Sequence, residues 1–185
     1  SEVDTDVYAP LKHTAGDISA EAELRDQVHL AEKGRQTTVP MKIIAYSQAL
    51  VEAAREEMQA DPRIFIMGED VGLYGGAYGA TRGLYAEFGE SRVIDTPISE
   101  ATIGGAAVGA AMAGMRPIAE IMYVDFTPLA MDQIANQGAK NRYMFGGKTS
   151  VPMVVRTEGG AGRAIAAHHS QSLEALWTHF PGIYV

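Results

Sequence analysis

Short apolar segments alternate with helical segments from Met41 to Val185, and this alternation constrains the fold more than any other feature. The pattern predicts strands over residues 63–67, 92–95, 116–122, 151–155 and 182–185. It predicts helices between them over residues 47–60, 81–89, 99–114, 127–144 and 170–180. Strands that alternate with helices are typical of parallel sheets. The sequence therefore predicts an α/β fold with a parallel sheet covered by helices on both faces.

The predicted sheet also indicates where a functional site would lie. In open parallel sheets, ligands bind in the crevice outside the carboxyl ends of the strands. The loops that follow Met67, Asp95, Met122 and Val155 are therefore the segments in which binding or catalytic residues are expected.

Composition excludes several functional classes. The chain has 185 residues, of which 46% are hydrophobic, and this suits one domain with a sizeable core. The net charge of −8 makes nucleic acid an unsuitable partner for the chain as a whole. The absence of cysteine excludes disulfides, thiolate metal sites and a cysteine nucleophile.

Residues 1–40 differ from the rest of the chain and are interpreted as an acidic N-terminal extension or linker, followed by a domain over residues 41–185. The start of the chain has neither the apolar core of a signal peptide nor the arginines of a transit peptide. Because the chain ends on a predicted strand, we expect it to be part of a longer polypeptide. Half of the net charge comes from this segment, whose acidic residues are Glu2, Asp4, Asp6, Asp17, Glu21, Glu23, Asp26 and Glu32.

The segment over residues 101–115 is apolar throughout and consists mainly of glycine, alanine and other small residues. Its 15 residues are too few for a membrane span, which needs about 18 or more, so a buried helix is predicted. Each glycine in a helix costs about 0.5–1 kcal/mol relative to alanine. That cost is understandable if another backbone or a flat ligand approaches the helix closely.

Glu100 stands directly before this small-residue segment. One interpretation is a first-turn acid stabilised by the helix dipole, with Ser99 or Thr96 as the cap. The other is a carboxyl group held in poorly hydrated surroundings, which is suited to proton exchange. The glycines and alanines behind Glu100 favour the second interpretation.

The other candidate residues each have a structural alternative. Glu69 follows the first strand and is either a ligand-binding group or part of a solvated acidic turn. His168 and His169 are adjacent on an extended segment, so one is expected to point inward and the other outward. Asp125 is predicted to cap the following helix, and Phe126 suits either the core or a site.

Classical nucleotide-binding loops fail at defined positions. A phosphate-binding loop ending in "GKT" needs glycine where Arg142 stands. Dinucleotide-binding turns in "YGGAYG" and "EGGAGRAI" fail at Tyr74 and Ile165. A nucleotide-binding module is therefore a weak alternative.

Three long segments together resemble one enzyme family: "GEDVGLYGGAYGATRGL", "VIDTPISEATIGGAAVGAAMAGMRPIAEIM" and "NQGAKNRYMFGGKTSVPMVVRTEGGAGRAIAAHHSQSLEALWTHFPG". They resemble the beta subunit of thiamine-diphosphate-dependent 2-oxo acid dehydrogenases, of the pyruvate, branched-chain and acetoin types. The resemblance covers about residues 41–185 and implies the pyrimidine-binding domain of the thiamine diphosphate fold.

The resemblance also implies roles for five residues. Glu100 would hydrogen-bond a ring nitrogen of the cofactor's aminopyrimidine and exchange a proton with it. Phe126 would stack on that ring, Met122 would line the pocket, and Glu69 would lie at the cofactor's edge. His169 would face the substrate or an incoming lipoyl group, although His168 stands where the family commonly has glutamine.

The expected partners follow from the same resemblance. An alpha subunit would hold the diphosphate and magnesium through a "GDG…N" motif, which this chain lacks, so no metal ligand is expected here. An alpha2beta2 assembly, a lipoyl acyltransferase, and a small 2-oxo acid or acetoin as substrate are implied, without nucleic acid or membrane. The location would be bacterial cytoplasm, or alternatively the mitochondrial matrix. A split transketolase-like subunit and a non-catalytic assembly or regulatory domain are the alternatives.

Overall fold

The computed structural model describes residues 43–185, so the predicted extension over residues 1–40 lies outside the described region. Helices and strands alternate along the described chain as expected. The α-helices are α1 (Tyr46–Ala60), α2 (Leu84–Phe88), α3 (Glu100–Met112), α4 (Asn141–Met144) and α5 (Glu174–Thr178). The strands are β1 (Ile64–Gly68), β2 (Val93–Asp95), β3 (Arg116–Ile121) and β4 (Val154–Thr157). Other helical turns are the 3-10 helices Val124–Ala130, Ala161–Arg163 and Ala167–His169, and the π-helix Asp132–Ala139.

The four strands form one parallel sheet in the order β2-β1-β3-β4. Ile66 of β1 pairs with Val93 on one side and with Ile118 on the other, and Ile118 in turn pairs with Val154. The chain moves from β1 to one neighbour, β2, and then returns to pair β3 on the opposite side of β1. The loops that follow β1 and β3 therefore diverge and leave a crevice at the carboxyl end of the sheet.

Side chains of β1 alternate between two buried faces, as the period of a strand requires. Ile64 and Ile66 pack in a cluster with Met58 of α1 and Leu84 of α2. Phe65 and Met67 pack on the other face in a cluster with Ile103 of α3. Helices thus cover both faces, and the predicted α/β architecture is confirmed.

A third apolar cluster lies beyond β3 and joins the 3-10 helix, the π-helix and α5. Ile121 and Ile134 are buried there against Trp177. The indole Nε1 of Trp177 donates a hydrogen bond to Thr127 Oγ1 at 2.9 Å, so the polar edge of the ring is satisfied as well. Within the described region, no helix is long and apolar enough to cross a membrane.

The predicted fifth strand over residues 182–185 is wrong. Gly182 has φ of +96°, and the amide of Ile183 donates to the carbonyl of Phe180 in a turn. Ile183 packs against the third cluster instead of pairing with β4. An apolar segment of this length does not reveal by itself whether a neighbouring strand edge accepts it.

The predicted helix over residues 127–144 is also wrong as a single element. It consists of the 3-10 helix Val124–Ala130, the π-helix Asp132–Ala139 and α4. Pro128 lies inside the first of these, and its missing N–H prevents regular α-helical bonding there. The fourth strand lies about three residues further along than predicted, and α5 is shorter than the predicted helix over residues 170–180.

Gly68→Ala is expected to destabilise the fold. A Cβ atom at Gly68 would lie 2.6 Å from the carbonyl oxygen of Glu120 on the paired strand β3. Because backbone atoms cannot move aside easily, we expect a loss of about 1–3 kcal/mol in the free energy of unfolding, measured by urea titration. Gly109→Ala is the matched control, since a Cβ atom at Gly109 would have nothing within 4 Å and a helical alanine should gain about 0.5–1 kcal/mol. Equal stabilities for the two variants would contradict this account of the β1–β3 pairing.

Candidate functional site

Two carboxyl groups lie at the carboxyl end of the sheet and interact electrostatically. Glu69 follows β1, and Glu100 is the first residue of α3 and only 9% exposed. Burial raises the pKa of Glu69, and the negative charges of Glu100 and Asp70 raise it further. The Oε1 atom of Glu69 is buried without a hydrogen-bond partner. An unsatisfied buried oxygen is costly, so this position is suited to receive a hydrogen-bond donor.

The start of α3 leaves the Glu100 carboxyl group available. Ser99 occupies the N-cap position of α3, as one of the two predictions had it, but its Oγ pairs with Thr102 Oγ1 at 2.8 Å and caps no amide. The Oγ1 atom of Thr96 is buried without a hydrogen-bond partner. Within residues 43–185, the Glu100 carboxyl group has no hydrogen-bond or ion-pair partner, although the residue is buried.

The glycines of α3 have two different environments. A Cβ at Gly104 would meet Ala130 Cβ at 3.1 Å, and one at Gly105 would meet Gln133 Cγ at 3.3 Å. The first part of α3 therefore uses glycine because the 3-10 helix and the π-helix of this same chain approach closely. Nothing lies within 4 Å of a Cβ at Gly109, so only the last part of the helix leaves its glycine open.

An aromatic cluster lies after β3 and includes the predicted residues Phe126 and His169. The His169 ring packs edge-on against Tyr123 at 4.8 Å and against Phe126 at 5.2 Å between centroids. Tyr78 extends the cluster, with its centroid 6.0 Å from that of Tyr123. His168 is exposed and His169 half-buried, so His169 is the histidine that contacts Phe126.

The five predicted site residues all follow carboxyl ends of strands. Glu69 follows β1, Glu100 follows β2, and His169 follows β4. Met122 and Phe126 follow β3, and both are half-buried. Because all four strands run parallel, the segments that carry these five residues leave the same end of the sheet.

Asp125 does not cap the 3-10 helix, contrary to the prediction. That helix begins at Val124 after Tyr123, and no side chain caps it. The Oδ1 atom of Asp125 instead accepts a hydrogen bond at 3.1 Å from the amide of Gln171, which is 46 residues away. Local sequence could not reveal this partner, because the contact depends on how the loop after β4 returns to β3.

Sequence reasoning missed a buried charged network formed by Glu120, Arg156 and Glu158. Glu120 on β3 is 1% exposed, and its Oε2 accepts a hydrogen bond at 2.8 Å from Nε of Arg156, its register partner on β4. Burial raises the pKa of Glu158 to about 7, the charge of Glu120 adds to this, and Arg156 opposes it. The available signal was Glu120 in the interior of the apolar segment over residues 116–122 and Arg156 directly after the apolar segment over residues 151–155.

The described side chains were compared with the arrangements that hold metal ions in proteins. Within the described residues, no group of three or more histidine, aspartate or glutamate side chains has the arrangement to hold a metal ion.

Comparison with known proteins assigns the fold to a family. The family described as "Transketolase, pyrimidine binding domain" matches residues 42–185, which is most of the chain. The chain belongs to the transketolase pyrimidine-binding domain family. The fold agrees with this assignment, and the predicted family resemblance is confirmed.

Named relatives of this pyrimidine-binding domain are beta subunits of three kinds of dehydrogenase or oxidoreductase. The chain is 49% identical over 154 residues to the acetoin:2,6-dichlorophenolindophenol oxidoreductase subunit beta of Bacillus subtilis. This match covers 77% of the chain and 45% of the relative. It is 48% identical to the 2-oxoisovalerate dehydrogenase subunit beta of the same organism, with coverage of 78% and 44%. It is 46% identical to the mitochondrial pyruvate dehydrogenase E1 component subunit beta of Bos taurus, with coverage of 77% and 40%. The chain thus spans less than half of the length of these relatives.

A solved structure supports the fold of the pyrimidine-binding domain. It is described as a split gene transketolase, inactive beta4 tetramer, and it matches with a TM-score of 0.53. The match covers 73% of this chain and 40% of the solved chain at 19% sequence identity. At this identity the likeness concerns the fold alone.

Glu158→Gln is expected to change the pH dependence of stability. The pKa of Glu158 is about 7 in the folded chain against an ordinary value of 4.5, so the folded chain holds this proton more tightly than the unfolded chain. The stabilisation from the protonated group is fully present below about pH 4.5 and is lost as the pH rises through about 7. In urea titrations, the stability of Glu158→Gln relative to wild type should therefore rise between about pH 5 and about pH 8. Glu90→Gln, at an exposed site, should keep the wild-type pH dependence of stability. The wild-type pH dependence in Glu158→Gln would contradict the raised pKa of Glu158.

Proposed function

We propose that this domain is the pyrimidine-binding part of the beta subunit of a thiamine-diphosphate-dependent 2-oxo acid or acetoin dehydrogenase. The observation that carries the proposal is Glu100, which is only 9% exposed, begins a helix at the carboxyl end of the sheet, and has a carboxyl group without a protein partner among the described residues. The relatives named above support the same reaction class. The reaction would be oxidative decarboxylation, or carbon–carbon cleavage of acetoin, with acyl transfer to a lipoyl group.

The residues at this end of the sheet fit an aminopyrimidine ring. Glu69 Oε1 is buried without a partner, and Glu100 has unused hydrogen-bonding capacity. Phe126 offers a half-buried flat ring, and Met122 offers a half-buried polarizable side chain close to it in the chain. When bound, thiamine diphosphate supplies the nucleophilic carbon and the electron sink needed to cleave a bond next to a carbonyl group.

Each residue of this chain has a separate role in the proposal. Glu100 holds a ring nitrogen of the aminopyrimidine by a hydrogen bond and exchanges a proton with it. Phe126 and Met122 fix the plane of the ring and exclude water from it. Glu69 lies at the edge of the cofactor. His169 faces the substrate or the lipoyl group and carries a proton there.

The remainder of the site belongs to partners in this proposal. An alpha subunit holds the diphosphate and magnesium, and the two kinds of subunit assemble as alpha2beta2. A lipoyl acyltransferase receives the acyl group. The complex acts in bacterial cytoplasm, with the mitochondrial matrix as the alternative location.

Glu100→Gln is expected to lower turnover by about 10²–10⁴-fold in the complex with an alpha subunit, because the amide cannot exchange the proton. Association of the subunits, measured by analytical ultracentrifugation, should be unchanged, since glutamine has nearly the same shape. Glu56→Gln, on the exposed side of α1, is the control and should keep full activity. Full activity in Glu100→Gln would favour a non-catalytic assembly or regulatory domain.

The substrate class requires a direct comparison. The chain is mixed with candidate alpha subunits, thiamine diphosphate and magnesium, and then assayed with pyruvate, 2-oxoisovalerate and acetoin in parallel. Turnover of one of them with acyl transfer to a lipoyl acceptor supports the proposal. Ketol transfer between sugar phosphates without turnover of these three would refute it in favour of a split transketolase.

A further inference from the structure

The loop that carries His169 is closed at its neck by hydrogen bonds. We define the His169 loop as residues 160–171. The amide of Gly160 donates to the carbonyl of Gln171 at 2.7 Å, which joins the two ends of the loop. The amide of Gln171 in turn donates to Asp125 Oδ1 at 3.1 Å. A side chain from the segment after β3 therefore holds the neck of a loop that follows β4.

Neighbouring contacts make this neck tight. The amide of Val124 donates at 2.7 Å to the carbonyl of Glu158, just before the loop begins. A Cβ at Gly159 would lie 2.9 Å from Val124 Cγ1 and 3.0 Å from the carbonyl oxygen of Gln171. Only glycine therefore fits between the 3-10 helix and the returning end of the loop.

The backbone of the loop is strained at two residues. Ala164 and Ala166 have φ of +53° and +71°, in the left-handed region that side chains disfavour. Strain of this kind persists only where the surroundings determine the backbone. One attachment is the far side of the loop, where the Arg163 guanidinium lies 4.2 Å from the centroid of the Tyr78 ring. A second attachment is the neck at Asp125.

The environment of Asp125 favours its charged form. Burial alone raises the pKa of Asp125, but the hydrogen bonds from Gln171 and the positive charge of His169 outweigh it, so the pKa is lowered. Its second oxygen, Oδ2, is buried without a hydrogen-bond partner. Asp125 thus interacts with the loop through both its acceptor oxygen and its charge.

We propose that Asp125 is a positioning residue whose carboxylate holds the neck of the His169 loop and so places the His169 ring against Tyr123 and Phe126. Three successive residues act together, because Val124 binds the segment before the loop, Asp125 binds its end, and Phe126 contacts the imidazole. The catalytic consequence rests on the proposed function, in which His169 faces the substrate. The placement of the ring does not depend on that function.

The decisive experiment observes the imidazole directly in the full chain. With labelled histidines, the His169 ring protons should show ring-current shifts from Tyr123, Phe126 and the adjacent His168 ring, relative to the chain unfolded in urea. Asp125→Ala should move the His169 signals towards exposed values. Asp125→Asn retains a carbonyl acceptor and should restore them.

Asp132→Ala is the matched control. Asp132 is exposed, lies seven residues further along, and accepts a hydrogen bond only from Asn136 at 2.8 Å among the described residues. This variant should leave the His169 signals in place. Unchanged His169 signals in a folded Asp125→Ala variant would overturn the proposal.

Hydrogen exchange provides a second test should Asp125→Ala fail to fold. Asp125→Asn keeps the shape of the side chain but replaces a charge-assisted bond by a neutral one of roughly half the strength. The Gln171 amide should then exchange about tenfold faster than in wild type. An unchanged rate would overturn the proposal.

Assays of the complex with an alpha subunit distinguish failure of the proposed function from failure of the positioning role of Asp125. If wild-type complex is active, Asp125→Ala should lower kcat more than it changes KM, and Asp125→Asn should restore most of kcat. Equal kcat in all three proteins would overturn the catalytic part of the inference. If wild type turns over no 2-oxo acid or acetoin, the proposed function fails, while the imidazole spectra still decide whether Asp125 positions the loop.

Discussion

The parallel pairing of β1 with β3 is the constraint on which the rest of the structure depends. It brings Gly68 so close to Glu120 that no side chain fits between them, and it places the segments after both strands at one crevice. Glu69 follows one of these strands, and Met122 and Phe126 follow the other. A shift in this pairing would separate the groups that the candidate site needs together.

The paired strands also bury the carboxyl groups of Glu120 and Glu158, which the fold accommodates in two different ways. Glu120 is almost completely buried, and Arg156 from the neighbouring strand neutralises it. Glu158 lies in the same network, where burial, and to a lesser extent the charge of Glu120, raises its pKa to about 7. Glu69 and Glu100 form a different pair. Burial and the negative charge of Glu100 both raise the pKa of Glu69, and no cation offsets them. Such uncompensated carboxyl groups are typical of functional sites, whereas compensated ones are typical of structural networks.

The small-residue helix α3 illustrates how a single sequence signal can have two causes. The glycines predicted a close approach by another backbone or a flat ligand. At Gly104 and Gly105 the approaching groups belong to the chain's own 3-10 helix and π-helix. At Gly109 no atom lies within 4 Å of a Cβ position, so close packing within the described residues does not account for this glycine. The identity of the approaching group followed from tertiary packing, because composition is the same along the helix.

The sequence by itself determined the alternation of strands and helices, and the placement of Glu69, Glu100, Met122, Phe126 and His169 after strand ends. These features depend on local periodicity and on motifs read along the chain. The sequence also predicted burial of the whole small-residue helix, whereas the structure buries one face and leaves residues such as Ala106, Gly109 and Met112 exposed. Tertiary structure alone decided the strand order, the loss of the predicted strand over residues 182–185, the division of the predicted helix over residues 127–144, and the partners of Asp125 and Glu120. Each of these depends on which segments distant in sequence meet in space. The amide that donates a hydrogen bond to Asp125 is 46 residues away, and the arginine that neutralises Glu120 is 36 residues away.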